Sequence, residues 1–208
     1  MSQNVTILEH AVVDHHLTHI RAEGTSSGEF RRRMKALGGL LIGEATRELP
    51  SRHTDVTTPL ETMQCRDIAG RIAAVPILRA GLVLVEPFLE LIPEGEVRHL
   101  GMYRDEATAE PVHYYNKLPD DNPPTVGLVL DPMLATGGSA VEAIRALERW
   151  GICDIRMLAV IAAPEGIARL QQDCPDVAIF CCACDRELND QKFILPGLGD
   201  AGDRIFGT

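Results

Sequence analysis

The chain has 208 residues, 45% of them hydrophobic, and its 20 lysines and arginines against 30 aspartates and glutamates leave a formal net charge of −10 at pH 7. That length supports one sizeable core, and the acidic balance argues against a duplex nucleic-acid surface, which needs many cations to displace counterions. A small anionic ligand remains compatible, because charges beyond about 10 Å are largely screened at physiological salt.

No apolar run reaches the roughly 18 residues of a membrane span, and the opening "MSQNVTILEHAVVDHH" lacks the basic region and long apolar stretch of a secretory signal. A single domain over residues 1–208, soluble and cytoplasmic, is the expectation. In "DHHLTH" the side chains of His15 and His19 fall one helical turn apart. With no third ligand nearby this reads as a helix surface rather than a metal pair. The following "SSGEFRRRMKALGGLLIGEATREL" predicts a long helix, in which Gly38, Gly39 and Gly43 each cost roughly 1 kcal/mol against alanine. Close helix packing is their expected explanation.

Strand-like and helix-like runs then alternate. Strands are expected at "RIAAVPIL" (71–78), "VRHLGMYR" (97–104), "TVGLVLD" (125–131), "DIRMLAVIAA" (154–163) and "VAIFCCACD" (177–185), with helical patterns "GLVLVEPFLELI", "SAVEAIRALERW" and "PEGIARLQQD" between several of them. Such alternation predicts an α/β fold, a parallel sheet flanked by helices, and near-continuous apolar runs fit strands buried on both faces. One stretch, "YRDEATAEPVHYYNKLPDDNPP", breaks the alternation with a short β-like segment and predicts a small β arm or flap. Tyr114 and Tyr115 there suit either a subunit contact or an ordinary strand. Helix 139–150 is expected to be capped by Ser139 and ended by Gly151. The six cysteines (Cys65, Cys153, Cys174, Cys181, Cys182, Cys184) read as buried free thiols, because the chain is too large for a disulfide-stapled miniprotein and "CCAC" lacks a second pair at zinc-like spacing.

Between the apolar run "TVGLVL" and helix 139–150 lies "DPMLATGGSA", an acid, a proline and two adjacent glycines at a strand-to-helix junction. In an open parallel sheet ligands bind beyond the carboxyl ends of strands. Small residues let the backbone approach closely, and amides leading into a helix N-terminus can grip a phosphate. Thr136 and Ser139 add hydroxyl donors, and Asp131 suits ribose hydroxyls better than phosphate. The loop has no lysine after its glycines and lacks three spaced glycines, so it is neither a Walker A loop nor a dinucleotide turn.

This loop resembles the phosphoribosyl-diphosphate (PRPP) loop of phosphoribosyltransferases, and in its Asp-Pro form that of the uracil phosphoribosyltransferases. "VPILRAGL" (75–82), "GMYRDEAT" (101–108) and "ILPGLGDAGDRIFGT" (194–208) agree with that family in order. The resemblance implies a type I phosphoribosyltransferase-like sheet flanked by helices, and transfer of a ribosyl group from PRPP to uracil to give UMP and diphosphate in pyrimidine salvage. It implies a PRPP site at Asp131, Pro132, Met133, Leu134, Ala135, Thr136, Gly137, Gly138 and Ser139, with Arg79 and Arg104 near the diphosphate. Asp200 is implied to contact PRPP or its metal, and Arg79, Arg104 and Asp200 are the implied catalytic residues. Ile194, Gly199, Asp200 and Ala201 are implied to form the uracil pocket, in which a backbone carbonyl between two amides could read N3–H and its flanking carbonyls. Asp203 suits either a base contact or a turn cap.

The family needs Mg²⁺, held mainly through substrate oxygens rather than a protein cage. A homodimer or higher homo-oligomer and GTP as an effector are also implied, with uracil and PRPP as partners and neither nucleic acid nor membrane. Gly43 stands where family members often carry an aromatic. A nucleotide-sensing regulatory protein on the same fold is the non-catalytic alternative.

Overall fold

The computed structural model describes residues 4–104, 111–116 and 122–208, with the backbone alone described for 100–104 and 111–116. In chain order the elements are β1 (Val5–Ile7), α1 (Ala11–Arg21), α2 (Ser27–Ala45), β2 (Ser51–Thr57), β3 (Thr62–Ile68), β4 (Ile72–Pro76), a 3₁₀ turn (Ala80–Leu84) running into α3 (Val85–Leu91), β5 (Glu96–Val97), β6 (Leu100–Arg104), β7 (Pro111–Asn116) and β8 (Val126–Leu130). They continue with β9 (Met133–Leu134), α4 (Gly138–Trp150), β10 (Asp154–Ala162), α5 (Pro164–Asp173), β11 (Ala178–Cys184), β12 (Glu187–Leu188), β13 (Ile194–Leu195) and α6 (Ala201–Phe206).

The main sheet runs β1-β11-β10-β8-β4-β5, with β9 paired to the end of β10. Every pairing in it is parallel. Alternate residues of the apolar strands serve opposite cores. Ala74, Leu128, Leu130, Leu158 and Val160 face a cluster that includes Val13, Leu17 and Ile20 of α1 and Phe30, Met34 and Leu37 of α2. Val75, Val129, Met157 and Ala159 face Val141, Ile144 and Leu147 of α4 and Leu170 of α5. A period of two thus divides each continuous apolar run between two helical layers. Each fully buried Leu or Ile contributes roughly 1.5–3 kcal/mol relative to exposure.

The expected "VRHLGMYR" strand divides in two. Glu96–Val97 joins the main sheet beside Ala73–Ala74, whereas Leu100–Arg104 leaves it to pair antiparallel with Pro111–Asn116. That second pair is the arm expected from "PVHYYNKL"; the Tyr114 and Tyr115 side chains lie outside the described residues. A second hairpin, β2 with β3, is antiparallel from Ser51↔Ile68 to Thr57↔Thr62 and was not expected. Both strands are exposed along nearly their whole length, so no apolar face marks them, and Thr58 closes the turn by accepting from the Leu60 and Glu61 amides.

The cysteines are all free, but burial holds only for Cys174, Cys181 and Cys182; Cys65 is half-buried and Cys153 and Cys184 are exposed, because they lie in an exposed hairpin, a loop and a strand end rather than in the core. Burial pushes the Cys181 and Cys182 thiols up to about 12, with a small further push on each from a neighbouring cysteine. That makes both inert packing groups.

The three α2 glycines have different reasons. A Cβ on Gly38 would lie 2.8 Å from Leu84 Cδ2 and 3.3 Å from Pro87 Cγ, the close packing expected. Gly39 and Gly43 would meet nothing within 4 Å, so helix packing does not explain them. Gly81 packs against backbone, because its Cβ would stand 2.4 Å from the Leu130 carbonyl oxygen and 3.2 Å from Pro76 Cα. Gly43→Ala is therefore expected to stabilise by about 0.5–1 kcal/mol. Gly81→Ala is expected to destabilise by about 1–3 kcal/mol through a clash with backbone. Thermal denaturation of both variants beside the wild type checks the opposite signs.

Candidate active site

Strand order places the site. After β4 the chain proceeds to β5 on one side and returns as β8 on the other, so the loops after β4 and β8 leave the sheet at a topological switch point. Arg79 follows β4 and Asp131 follows β8. The Leu130 carbonyl accepts from Ile77 N–H at 3.0 Å, which ties the two exits together.

The loop from Asp131 to Gly137 rides along β10. Asp131 N–H donates to Leu158 O (3.2 Å), Val160 and Ile161 N–H both donate to Pro132 O (3.0 Å), and Ala163 N–H donates to Leu134 O (2.9 Å). Within the loop, Met133 N–H lies 3.4 Å from the Asp131 carboxylate. Helix α5 braces the other side. A Cβ on Gly166 would fall 2.5 Å from Ala135 O, and one on Gly137 would fall 3.0 Å from Gly166 O. Gly137 is left-handed (φ 78°) and is itself the N-cap of α4, with no side-chain cap. This corrects the expectation for Ser139, which sits inside the first turn. The backbone turns through a conformation that glycine alone adopts cheaply, so Ser139 is left on the loop's rim, half-buried.

Val141 N–H to Gly137 O (2.9 Å) is the first intrahelical bond. The Gly138, Ser139 and Ala140 amides precede it, as helix geometry requires. They surround a small hollow of about 30 Å³ lined by Asp131, Met133 and Ala135 to Ala140. Such a nest at the positive end of a helix suits an anion.

A second cavity of about 190 Å³ adjoins it. Met133 and Ala135 line it from the phosphate-loop side, and Ile194, Gly199, Asp200 and Ala201 line it from the other. The four residues expected to meet a base are thus brought together, next to the loop. Gln191, Lys192 and Phe193 complete the wall; they were missed, since "NDQKF" carries no periodicity and reads only as a turn.

Asp200 caps α6, accepting from Asp203 N–H at 2.9 Å. Asp203 itself lies 3.8 Å from Arg79 and accepts from the Thr208 hydroxyl (3.1 Å), so it faces an arginine rather than a base. The Arg79 guanidinium also lies over the Phe206 ring at 5.8 Å and is 63% exposed, reaching into open solvent beside Asp200. Arg104 ends β6 in the separate hairpin, and its side chain lies outside the described residues.

His15 and His19 stack edge-on at 4.8 Å, while Arg33 Nη1 lies 3.3 Å from both His15 Nε2 and His16 Nδ1. A guanidinium in contact with the ring nitrogens suits a helix surface, not a metal pair. Burial first, then Arg33, lowers the His16 pKa. Among the described residues no group of three or more His, Cys, Asp or Glu is placed to hold a metal.

The base-side loop is held by charged groups that sequence reading missed. Arg21, at the end of α1, forks the Asp185 carboxylate with two 2.7 Å bonds and donates to Gly197 O at 2.8 Å. Gly197 N–H returns to Asp185 at 2.8 Å. Burial raises the Asp185 pKa, but the Arg21 and Gly197 hydrogen bonds outweigh it and hold the carboxyl below the usual carboxylate range. A depressed folded-state pKa stabilises the fold above the unfolded value and loses that contribution as pH falls through the folded one. The stability gap between wild type and Asp185→Asn is therefore expected to stay constant above roughly pH 5 and to shrink below about pH 4, as denaturant titrations across that range would report.

The family profile described as uracil phosphoribosyltransferase matches residues 7–208. A curated uracil phosphoribosyltransferase of Roseiflexus sp. (strain RS-1) is 52% identical over 204 residues, covering 98% of each chain. One from Anoxybacillus flavithermus (strain DSM 21510 / WK1) is 48% identical over 205 residues, again covering 98% of each. A solved structure of an Aquifex aeolicus protein superposes with a TM-score of 0.93 at 35% identity, over 98% of both chains. An adenine phosphoribosyltransferase (APRTase) of Giardia lamblia shares the fold alone, with a TM-score of 0.51 at 15% identity over 75% of this chain and 81% of that one. With the Asp-Pro loop and Gly199–Ala201 of "PGLGDAGD" meeting around one pair of cavities, and the family profile running from residue 7 to the last residue, this chain belongs to the uracil phosphoribosyltransferase family.

Proposed function

We infer that the chain converts uracil and PRPP to UMP and diphosphate. The carrying observation is that the anion nest at Ala135–Ser139 and the 190 Å³ cavity share Met133 and Ala135. A ribose 5-phosphate seated in the nest therefore directs its C1 toward a base in the cavity. Uracil N1 attacks C1 from the face opposite the leaving group, the N1–C1 bond forms as the C1–O bond breaks, the electron pair leaves with diphosphate, and the N1 proton passes to solvent. Alignment of the two substrates supplies much of the acceleration.

In this reading Asp131 takes the ribose hydroxyls, the amides and hydroxyls from Ala135 to Ser139 hold the 5-phosphate, and Arg79 with Arg104 stabilises the charge gathering on diphosphate. Ile194, Gly199, Asp200 and Ala201 read the base. A backbone site that pairs with uracil N3–H and its carbonyls leaves polar groups unpaired against cytosine, a mismatch that can reject an analogue by about 10⁴-fold.

Mg²⁺ fits this donor set, because Asp200 presents an exposed carboxylate, oriented by one backbone amide, of the oxygen type that hard cations take. Asp200 would hold it together with the diphosphate oxygens, and the ion would supply neutralising charge there. From the same resemblance we propose a homodimer or higher homo-oligomer, GTP as effector, and a cytoplasmic setting. No helix among the described residues is long and apolar enough to cross a membrane.

Purified protein incubated with PRPP, Mg²⁺ and each of uracil, cytosine, hypoxanthine and adenine is expected to form UMP alone, and chelation to abolish turnover until Mg²⁺ is restored. Binding of UMP or PRPP without turnover of any base would favour the nucleotide-sensing alternative. Asp200→Asn is expected to lower kcat by about 10²-fold with the fold intact, and Arg79→Ala to raise the KM for PRPP; steady-state kinetics and circular dichroism check both.

A further inference from the structure

The loop that carries the base-reading backbone is poorly suited to hold its own shape. Gly197 (φ 59°) and Gly199 (φ 80°) are both left-handed and flank Leu198. Glycines of this kind lose more freedom on ordering than any other residue. Yet the cavity wall begins at Gly199, and hydrogen-bond readout tolerates little displacement of the backbone.

Two arginines restrain that loop, Arg21 from far away in the sequence and Arg204 from the helix that follows it. The Arg21–Asp185 fork takes both backbone groups of Gly197, the N–H onto Asp185 and the C=O onto Arg21, each at 2.8 Å. Arg204 takes the next carbonyl, Leu198 O, at 2.8 Å with Nη1. The same guanidinium bonds the carbonyls at the end of α1, Ile20 O at 2.5 Å and Ala22 O at 2.6 Å, and lies over Phe30 at 4.5 Å. Asp185 is nearly buried, with a side chain only 6% exposed, and its own N–H is fixed to Ala162 O (2.8 Å) where β10 ends. The end of α1, the end of β11 and the base loop are thereby joined through charge-assisted bonds, the strong and geometrically selective kind. The phosphate loop is held separately, by β10 and Gly166.

We propose that Arg21 and Asp185, backed by Arg204, are positioning residues for base recognition: they set the register of the Gly197–Ala201 backbone against the base without touching either substrate. The proposal deepens the uracil-binding role given to residues 194–201 and rests on it.

The separate bracing of the two loops makes the role measurable. In Asp185→Asn the KM for uracil is expected to rise about tenfold while the KM for PRPP stays within about twofold. Arg21→Lys, which keeps the charge and loses the planar fork, is expected to fall between wild type and Arg21→Gln. Amide hydrogen exchange without substrate is expected to quicken at 197–201 and not at 135–140. Equal rises in both KM values, or unchanged uracil KM, would overturn the proposal. If Asp185→Asn fails to fold, the Arg21→Lys kinetics decide in its place. Should the wild type turn over no uracil, the functional reading fails on its own, and the exchange pattern still decides whether the clamp orders this loop.

Discussion

Parallel pairing of β4 with β8 is the constraint on which the rest of the site depends. Helical layers cover both faces of the pair, so every residue of each strand is buried and polar chemistry is driven out to the strand ends. Because the chain leaves β4 toward β5 and comes back at β8 from the other side, those ends open on the same crevice with no connection crossing it. Arg79 and Asp131 project beside that crevice as a consequence of strand order, although 52 positions separate them in the chain. The same pairing brings Gly81 against the Leu130 carbonyl, so the 3₁₀ turn after Arg79 can pack only with no side chain there.

In the proposed function both recognition surfaces are built mainly from backbone. An amide nest can surround an anion, and alternating carbonyls and amides can match a planar base, but chains small enough to expose that backbone are also too flexible to keep its shape. Each loop is therefore braced from outside itself. The phosphate loop is laid along β10 by four hydrogen bonds and pressed by α5, where the backbones of Gly137 and Gly166 meet with no room for a Cβ. The base loop has no strand of comparable length beside it, since β12 and β13 pair over only two residues each. Arginine forks take the place of a strand there. Met133 and Ala135 belong to both cavities, so in the proposed reading alignment of the two substrates is a matter of one segment rather than of two domains.

Reading the sequence as alternating apolar runs located the main strands and the α/β class because strands buried twice must be continuously apolar, and the helical pattern "PEGIARLQQD" coincides with α5. The β2–β3 hairpin escaped because it is exposed on both faces and its apolar residues, Val56, Met63 and Ile68, form no alternating run that a period test could detect. "VRHLGMYR" looked like one strand because local pattern cannot say that a chain changes sheets midway. Gly39 and Gly43 show the same limit from the other direction: an expected packing role fails where the space around them is open.

The sequence by itself determined which short segments are candidates for the chemistry: the Asp-Pro loop, the arginine after β4 and the "PGLGDAGD" turn. Their residue types restrict what the backbone can do locally, and they matched a known order along the chain. Only the tertiary structure decided how those segments are held. Arg21 is an ordinary helix-terminal arginine and Asp185 an ordinary strand-terminal acid until folding brings them together across 164 positions. Long-range pairing of this kind leaves no periodicity and no motif, because its cause is the geometry of sheet and helix layers rather than any neighbouring residue.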